Sequence, residues 1–226
     1  MATDSRKEPR EVSPGLAALM RNIWHPMGIW SRGLAVALSL ASLAGGVACV
    51  MHRADHASHA LPSFSPMPDH KQWLTDNLSV NVRGSYCYQG DTLTCHRYGR
   101  LYTWDAAQQA CRSLNGGWRL PTEDDWRHLA AEYGGVYGES VDSGKSAYRS
   151  LMTGGSSRFN ALLGGGAEPG AREYSRLEAH GFYWTATESG PASATFMNFG
   201  RGSQALYRQP EGEKQRAFSV RCVRDN

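Results

Sequence analysis

The sequence predicts an α+β domain of two helices, small antiparallel sheets and long loops, preceded by one N-terminal transmembrane helix. Three observations predict it. Residues 33–51, GLAVALSLASLAGGVACVM, carry no charge over nineteen positions. Two helical stripes follow at 105–114 and 122–133, each stopped by glycines. Beyond them, short alternating segments are separated by Gly- and Ser-rich stretches, and the last segment carries a cysteine.

The chain divides at those features. Residues 1–32 form a polar tail with five basic side chains (Arg6, Lys7, Arg10, Arg21, Arg32) against three acids. The remainder holds 19 basic and 18 acidic residues, so no concentrated positive face exists for nucleic acid, and no nucleic-acid partner is expected. Within the tail, Leu16, Leu19, Met20 and Ile23 recur at helical spacing, which marks 14–24 as a candidate interfacial or partner-packing helix.

Nineteen residues at helical rise cover about 28 Å, against a hydrocarbon core of about 30 Å. The apolar run starts after 32 residues, far from the N-terminus, and reads as an uncleaved signal-anchor in contact with membrane lipid. The alternative is lipidation of Cys49 in Gly46-Val47-Ala48-Cys49, although Gly46 stands where leucine is usual. The basic tail predicts a cytoplasmic N-terminus and an external C-terminal domain. Residues 52–70 read as a Pro-containing linker. His52, His56 and His59 would share a helix face there, but a solvated segment explains them without a metal. The external domain spans 71–226.

Four cysteines lie beyond the span: Cys87, Cys95, Cys111 and Cys222. An even number in an exported domain argues for two disulfides, with three pairings open. Their spacing is not that of a zinc site, and no metal or cofactor is expected.

Within the domain, Gln72-Trp73-Leu74 reads as an entry strand, and the segments 84–88 and 95–99 frame a loop or hairpin. Ala106, Ala107, Ala110, Cys111 and Leu114 form the stripe of the first helix, 105–114, stopped by Asn115-Gly116-Gly117. The second helix begins at Thr122, with Asp125 in the capping-box position and Trp126, Leu129, Ala130 and Tyr133 facing inward. Capping accounts for the run Glu123-Asp124-Asp125 without invoking acid–base chemistry. Residues 135–176 read as a long loop contributing little to a core. Strands are expected at 181–188, 195–199, 204–208 and 218–223. In the last of these, Phe218, Val220 and Cys222 would make one core face and Ser219, Arg221 and Val223 the other.

The combination of Gly99-Arg-Leu-Tyr-Thr-Trp-Asp-Ala-Ala, Trp118-Arg-Leu-Pro-Thr and Phe218-Ser-Val-Arg-Cys-Val-Arg224 resembles the bacterial C-type-lectin-like branch called the Fibrobacter succinogenes major paralogous domain. It covers about residues 71–225. The resemblance implies a C-type-lectin-like fold and selects one pairing, Cys111 with Cys222 and Cys87 with Cys95. It also implies presentation of loops for binding.

Sugar-binding C-type lectins hold calcium through a Glu-Pro-Asn loop and a Trp-Asn-Asp strand. Here Glu168-Pro169-Gly170 and Met197-Asn198-Phe199 lack two of those ligands, and no calcium site is expected. The formylglycine-generating kin use a reactive cysteine pair near the C-terminus. With Cys222 in a bridge and no second cysteine near it in sequence, no catalytic residue and no enzyme activity is expected. The stretch 198–209 resembles the diversified recognition strands of other relatives.

The expected binding surface comprises Tyr174, Trp184, Asn198, Arg201, Gln204, Tyr207 and Arg208. The expected function is that of a single-pass accessory subunit of the bacterial inner membrane, its periplasmic domain docking on a protein partner in a membrane complex. The alternative is a glycan-binding receptor or adhesin.

Overall fold

A computed structural model describes residues 62–226. The tail helix, the span at 33–51, Cys49 and the three linker histidines lie outside the described residues. Among the described residues no helix is long and apolar enough to cross a membrane.

The fold begins earlier than the sequence suggests. Strand β1 (Phe64–Pro66) pairs antiparallel with β2 (Lys71–Leu74), taking residues 64–66 out of the expected linker. At the other edge of β2 runs the C-terminal β10 (Val223–Asp225), with Val223 opposite Trp73. Chain entry and chain end are thus sealed in one three-stranded sheet. A second sheet is only β3 (Ser85–Tyr86) and β4 (Leu101–Tyr102). The third has order β6-β5-β7-β8-β9, from β5 (Gly164–Ala167), β6 (Tyr174–Leu177), β7 (His180–Gly190), β8 (Ser193–Gly200) and β9 (Ala205–Glu213). Its β7-β8-β9 meander is antiparallel, whereas β5 runs parallel to β7.

Four α-helices pack among these sheets in the described residues. Two match the sequence stripes. Helix α2 (Trp104–Arg112) buries Trp104, Ala106, Ala107, Ala110 and Cys111, and ends before the half-buried Leu114. Asn115, Gly116 and Gly117 then all adopt positive φ and reverse the chain. Helix α3 (Glu123–Ala131) carries the expected capping box: Asp125 N–H donates to Thr122 Oγ1 at 3.1 Å, and Thr122 N–H to Asp125 Oδ2 at 2.7 Å. Trp126, Leu129 and Ala130 are buried, but Tyr133 lies past the helix end and only half-buried.

Two helices have no stripe long enough to announce them. Helix α1 (Thr92–Tyr98) begins inside the Cys87–Cys95 loop, capped by Asp91, runs past Cys95 and stops at Gly99. Gly99 has φ +76°, and a Cβ there would stand 2.5 Å from that of Asn77. Helix α4 (Lys145–Leu151) lies within the expected long loop.

That loop also corrects the reading of 135–176 as peripheral. Val136, Ala147, Tyr148, Leu151, Phe159, Ala161 and Leu163 are buried in one cluster with Trp73 and Trp126. Short apolar pieces separated by glycines fold inward because each contributes one or two side chains to a shared core rather than a periodic face.

The closing segment corrects a second expectation. Only Val223–Asp225 is a regular strand, and Phe218 through Val223 are buried without alternation. Backbone bonds reach the segment from both sides: Leu74 N–H to Cys222 O, Leu78 N–H to Val220 O, Tyr102 N–H to Phe218 O and Trp184 N–H to Ser219 O. A strand enclosed on both faces has no solvent side on which to place Ser219 and Arg221.

Candidate functional site

The β8–β9 hairpin carries five of the expected surface residues and displays four of them, Asn198, Arg201, Gln204 and Tyr207, on one face and in its turn. Register places Phe182, Asn198 and Tyr207 directly opposite one another across β7, β8 and β9, and side chains so paired share a face. Arg201 and Gln204 stand exposed in the connecting turn, where Gln204 takes φ +51° and Arg201 N–H bonds Ala179 O at 2.9 Å. Behind the hairpin, Met197, Phe199 and Leu206 are locked into the aromatic core. The turn is therefore mounted on a rigid base.

Three residues that sequence reasoning missed complete this surface. His180 Nδ1 meets Asn198 Oδ1 at 2.9 Å, and its ring stacks on Phe182 at 5.4 Å between centroids. Tyr137 lies on Tyr207 at 4.8 Å and is 53 % exposed. A period-two reading back from Trp184 would have put His180 and Phe182 on one face. Tyr137 left no such signal. It arrives from the 132–144 loop through a bond from its N–H to Leu206 O at 2.8 Å. The surface thus offers half-exposed aromatic rings, amide and imidazole groups, and a guanidinium at the tip.

The other expected residues lie elsewhere. Arg208 is opposite Met197, on the far face, where it pairs with Glu123 Oε1 at 2.7 Å near the start of α3. Tyr174 sits on β6, the opposite edge of the sheet, with its ring 5.1 Å from Tyr88. Trp184 is a correction: it is fully buried and cannot present a face to a ligand. Its indole N–H donates to Tyr102 O at 2.8 Å and its ring lies 4.5 Å from that of Phe218. Gly212 on β9 makes room for it, since a Cβ there would be 2.6 Å from the indole.

The chemically suggestive residues are committed to structure. Cys111–Cys222 and Cys87–Cys95 are both disulfides, the pairing that the resemblance implies. Glu168 is ion-paired with Arg216. Asp125 is gripped by Arg119 at 2.5 and 3.1 Å. Burial opposes its ionisation, but the Arg119 guanidinium and the Thr122 donors outweigh burial and hold its pKa at about 2. Beside the hairpin turn, Glu178 accepts from Tyr98 Oη at 2.5 Å and pairs with Arg97 at 3.1 Å, and these partners lower its pKa. A cleft of about 1060 Å³ lies apart, lined by Asp76, Asn81, His96 and Asn115 among others, and holds none of the hairpin residues.

No curated protein and no solved structure matches this chain. A family model described as the Fibrobacter succinogenes major domain matches residues 64–224, an interval running from β1 to β10. The chain belongs to the Fibrobacter succinogenes major domain family.

Proposed function

We propose that this protein is a non-catalytic recognition module with a C-type-lectin-like domain. In this reading, residues 33–51 hold the domain at the periplasmic face of a bacterial inner membrane, where it docks on a protein subunit of a membrane complex. The observation that carries the reading is the β8–β9 hairpin. Asn198, Tyr207, Arg201 and Gln204 are displayed on a base whose opposite side is core. A tyrosine on a rigid support loses little conformational entropy on binding, and an arginine supplies directional hydrogen bonds.

The test is purification of the full chain from membranes in mild detergent, with co-migrating chains identified and quantified. A partner in fixed ratio is expected. Tyr207→Ala combined with Arg201→Glu should reduce its retention at least about tenfold without lowering the thermal midpoint. A lone monomer, or undiminished retention by the double variant, would overturn the reading.

The paired Tyr137 and Tyr207 rings beside Asn198 and His180 favour a second reading, a glycan receptor, because sugars stack on such rings while amides bind their hydroxyls. Glycan-array binding abolished by Tyr207→Ala would select it.

A further inference from the structure

The two disulfides occupy unlike surroundings. Cys111 and Cys222 are both fully buried among apolar side chains. Cys95 is half-exposed, and Cys87, at 9 %, lies at the edge of burial. A guanidinium is aimed at this second pair. Arg100 donates from Nε to Ser85 Oγ at 2.9 Å and from Nη2 to Ser85 O at 3.0 Å. Those two bonds fix the plane of the group and turn Nη1 toward the sulfurs, 3.5 Å from Cys87 Sγ and 3.7 Å from Cys95 Sγ. Among the described residues no carboxylate forms an ion pair with Arg100, so its charge is not spent elsewhere. The loop also carries Asp91, whose carboxylate caps Leu93 N–H, and the exposed His96 follows Cys95 directly.

A fixed cation beside a sulfur stabilises the thiolate over the thiol, and a stabilised thiolate is a better leaving group in exchange. Residues near both cysteines are held by contacts that do not involve the disulfide. Tyr98 is held after the disulfide by Asn77 Nδ2 donating to its carbonyl at 2.7 Å and by its own hydroxyl on Glu178. Tyr88, inside the loop next to Cys87, rests on Tyr174.

We propose that Cys87–Cys95 is a thiol-exchange site, at which an external thiol forms a mixed disulfide with Cys95 while Arg100 receives the Cys87 thiolate. The thiolate of a small thiol or of a second protein attacks Cys95 Sγ, the more accessible sulfur. A new S–S bond forms to Cys95, the Cys87–Cys95 bond breaks, and its electron pair leaves on Cys87 Sγ beside Nη1. Attack by a second thiol frees Cys95. Two external thiols are thereby oxidised to one disulfide, and the cystine is reduced to two cysteines.

The experiment equilibrates the full oxidised chain with glutathione buffers of graded ratio, quenches with acid, and reads each cysteine by differential alkylation and mass spectrometry. Cys87–Cys95 should open at a reducing ratio at least about tenfold milder than Cys111–Cys222, with glutathione trapped on Cys95. In the reduced loop, the alkylation of Cys87 should show a pH midpoint below the ordinary value of about 8.5. Arg100→Gln should raise that midpoint and Arg100→Lys should retain part of the depression. Should Arg100→Gln fail to fold, Ser85→Ala removes the Nε bond and leaves only the backbone one, which loosens the guanidinium without removing its charge and should raise the midpoint in the same direction. Opening of both disulfides at one ratio, glutathione trapped on Cys87, or a midpoint indifferent to these substitutions would overturn the proposal.

Discussion

Arg221 has no solvent exposure, and every hydrogen bond it makes goes to a neutral acceptor. Nε donates to Asn77 Oδ1 at 2.8 Å, Nη1 to Leu74 O and Phe159 O at 2.9 and 2.8 Å, and Nη2 to Asn160 O at 2.6 Å. Its guanidinium also lies 4.8 Å from the Phe159 ring centroid. Burial pushes its pKa below the usual value, and the carbonyl cage is what keeps a cation acceptable there. One side chain thus ties the end of β2, the 159–160 turn and Asn77 together. Lysine has the charge but not the planar fork, so Arg221→Lys leaves acceptors unfilled in the core. The expected cost is on the order of 3 kcal/mol, read as a lower urea midpoint with an unchanged slope. A variant as stable as the parent would show that the cage is incidental. Alternation in Phe218-Ser-Val-Arg-Cys placed Arg221 opposite the core face of Phe218, Val220 and Cys222 and left its burial unread, because a period of two reports which residues share a side and not whether that side is covered.

At the scale of elements, the start of α3 couples a helix cap to an ion-pair network. Asp125 serves Thr122, Arg119 and, at 3.5 Å, Lys71 of β2, while Lys71 also pairs with Asp225 of β10 at 2.7 Å. Because its native pKa is about 2, below an unfolded value of about 3.9, the Asp125 carboxylate stabilises the fold above about pH 4. That contribution, ~2 kcal/mol, is lost as pH falls through 2. Asp125→Asn should therefore cost about that much at pH 7 and little at pH 2, measured by urea unfolding at each pH. A gap that stayed constant with pH would remove the carboxylate from the explanation. This helix was legible because its signals are local: Thr122 and Asp125 stand three apart, and Trp126, Leu129 and Ala130 follow on one face. Helices α1 and α4 were not, since seven residues supply too few turns for a stripe and their stability comes from outside. The disulfide and Asp91 shape α1, whereas α4 lies against β9.

Across the whole molecule, the legible parts were those carried by chain-local pattern or by the family motifs: the meander, two helices and the cysteine pairing. The recognition surface was legible only along β8 and β9. In the other half, period two along β7 puts His180 and Phe182 on one face but not opposite Asn198, which cross-strand register decides, and Tyr137 comes on a loop from 70 residues away that no local pattern encodes. The same distinction between local and long-range closure ranks the disulfides. Cys111–Cys222 joins positions 111 residues apart and fastens α2 to the closing segment, which bonds to the ends of β2 and β4 and to the interior of β7. Cys87–Cys95 spans 8 residues and closes only the turn at Tyr88–Gly90 and the first half of α1. Loop entropy assigns about 4.7 kcal/mol to the first and about 2.5 kcal/mol to the second, as upper figures. Replacing both cysteines of a pair by serine separates them. The Cys111→Ser/Cys222→Ser variant should lose most of its stability to urea, with exchange protection falling throughout the core. The Cys87→Ser/Cys95→Ser variant should lose roughly half as much, with protection lost only around residues 87–99. Equal losses would mean that α1 is coupled to the core as tightly as α2. In that case its disulfide could not open without unfolding the domain, and exchange at Cys95 would be denied the local freedom it requires.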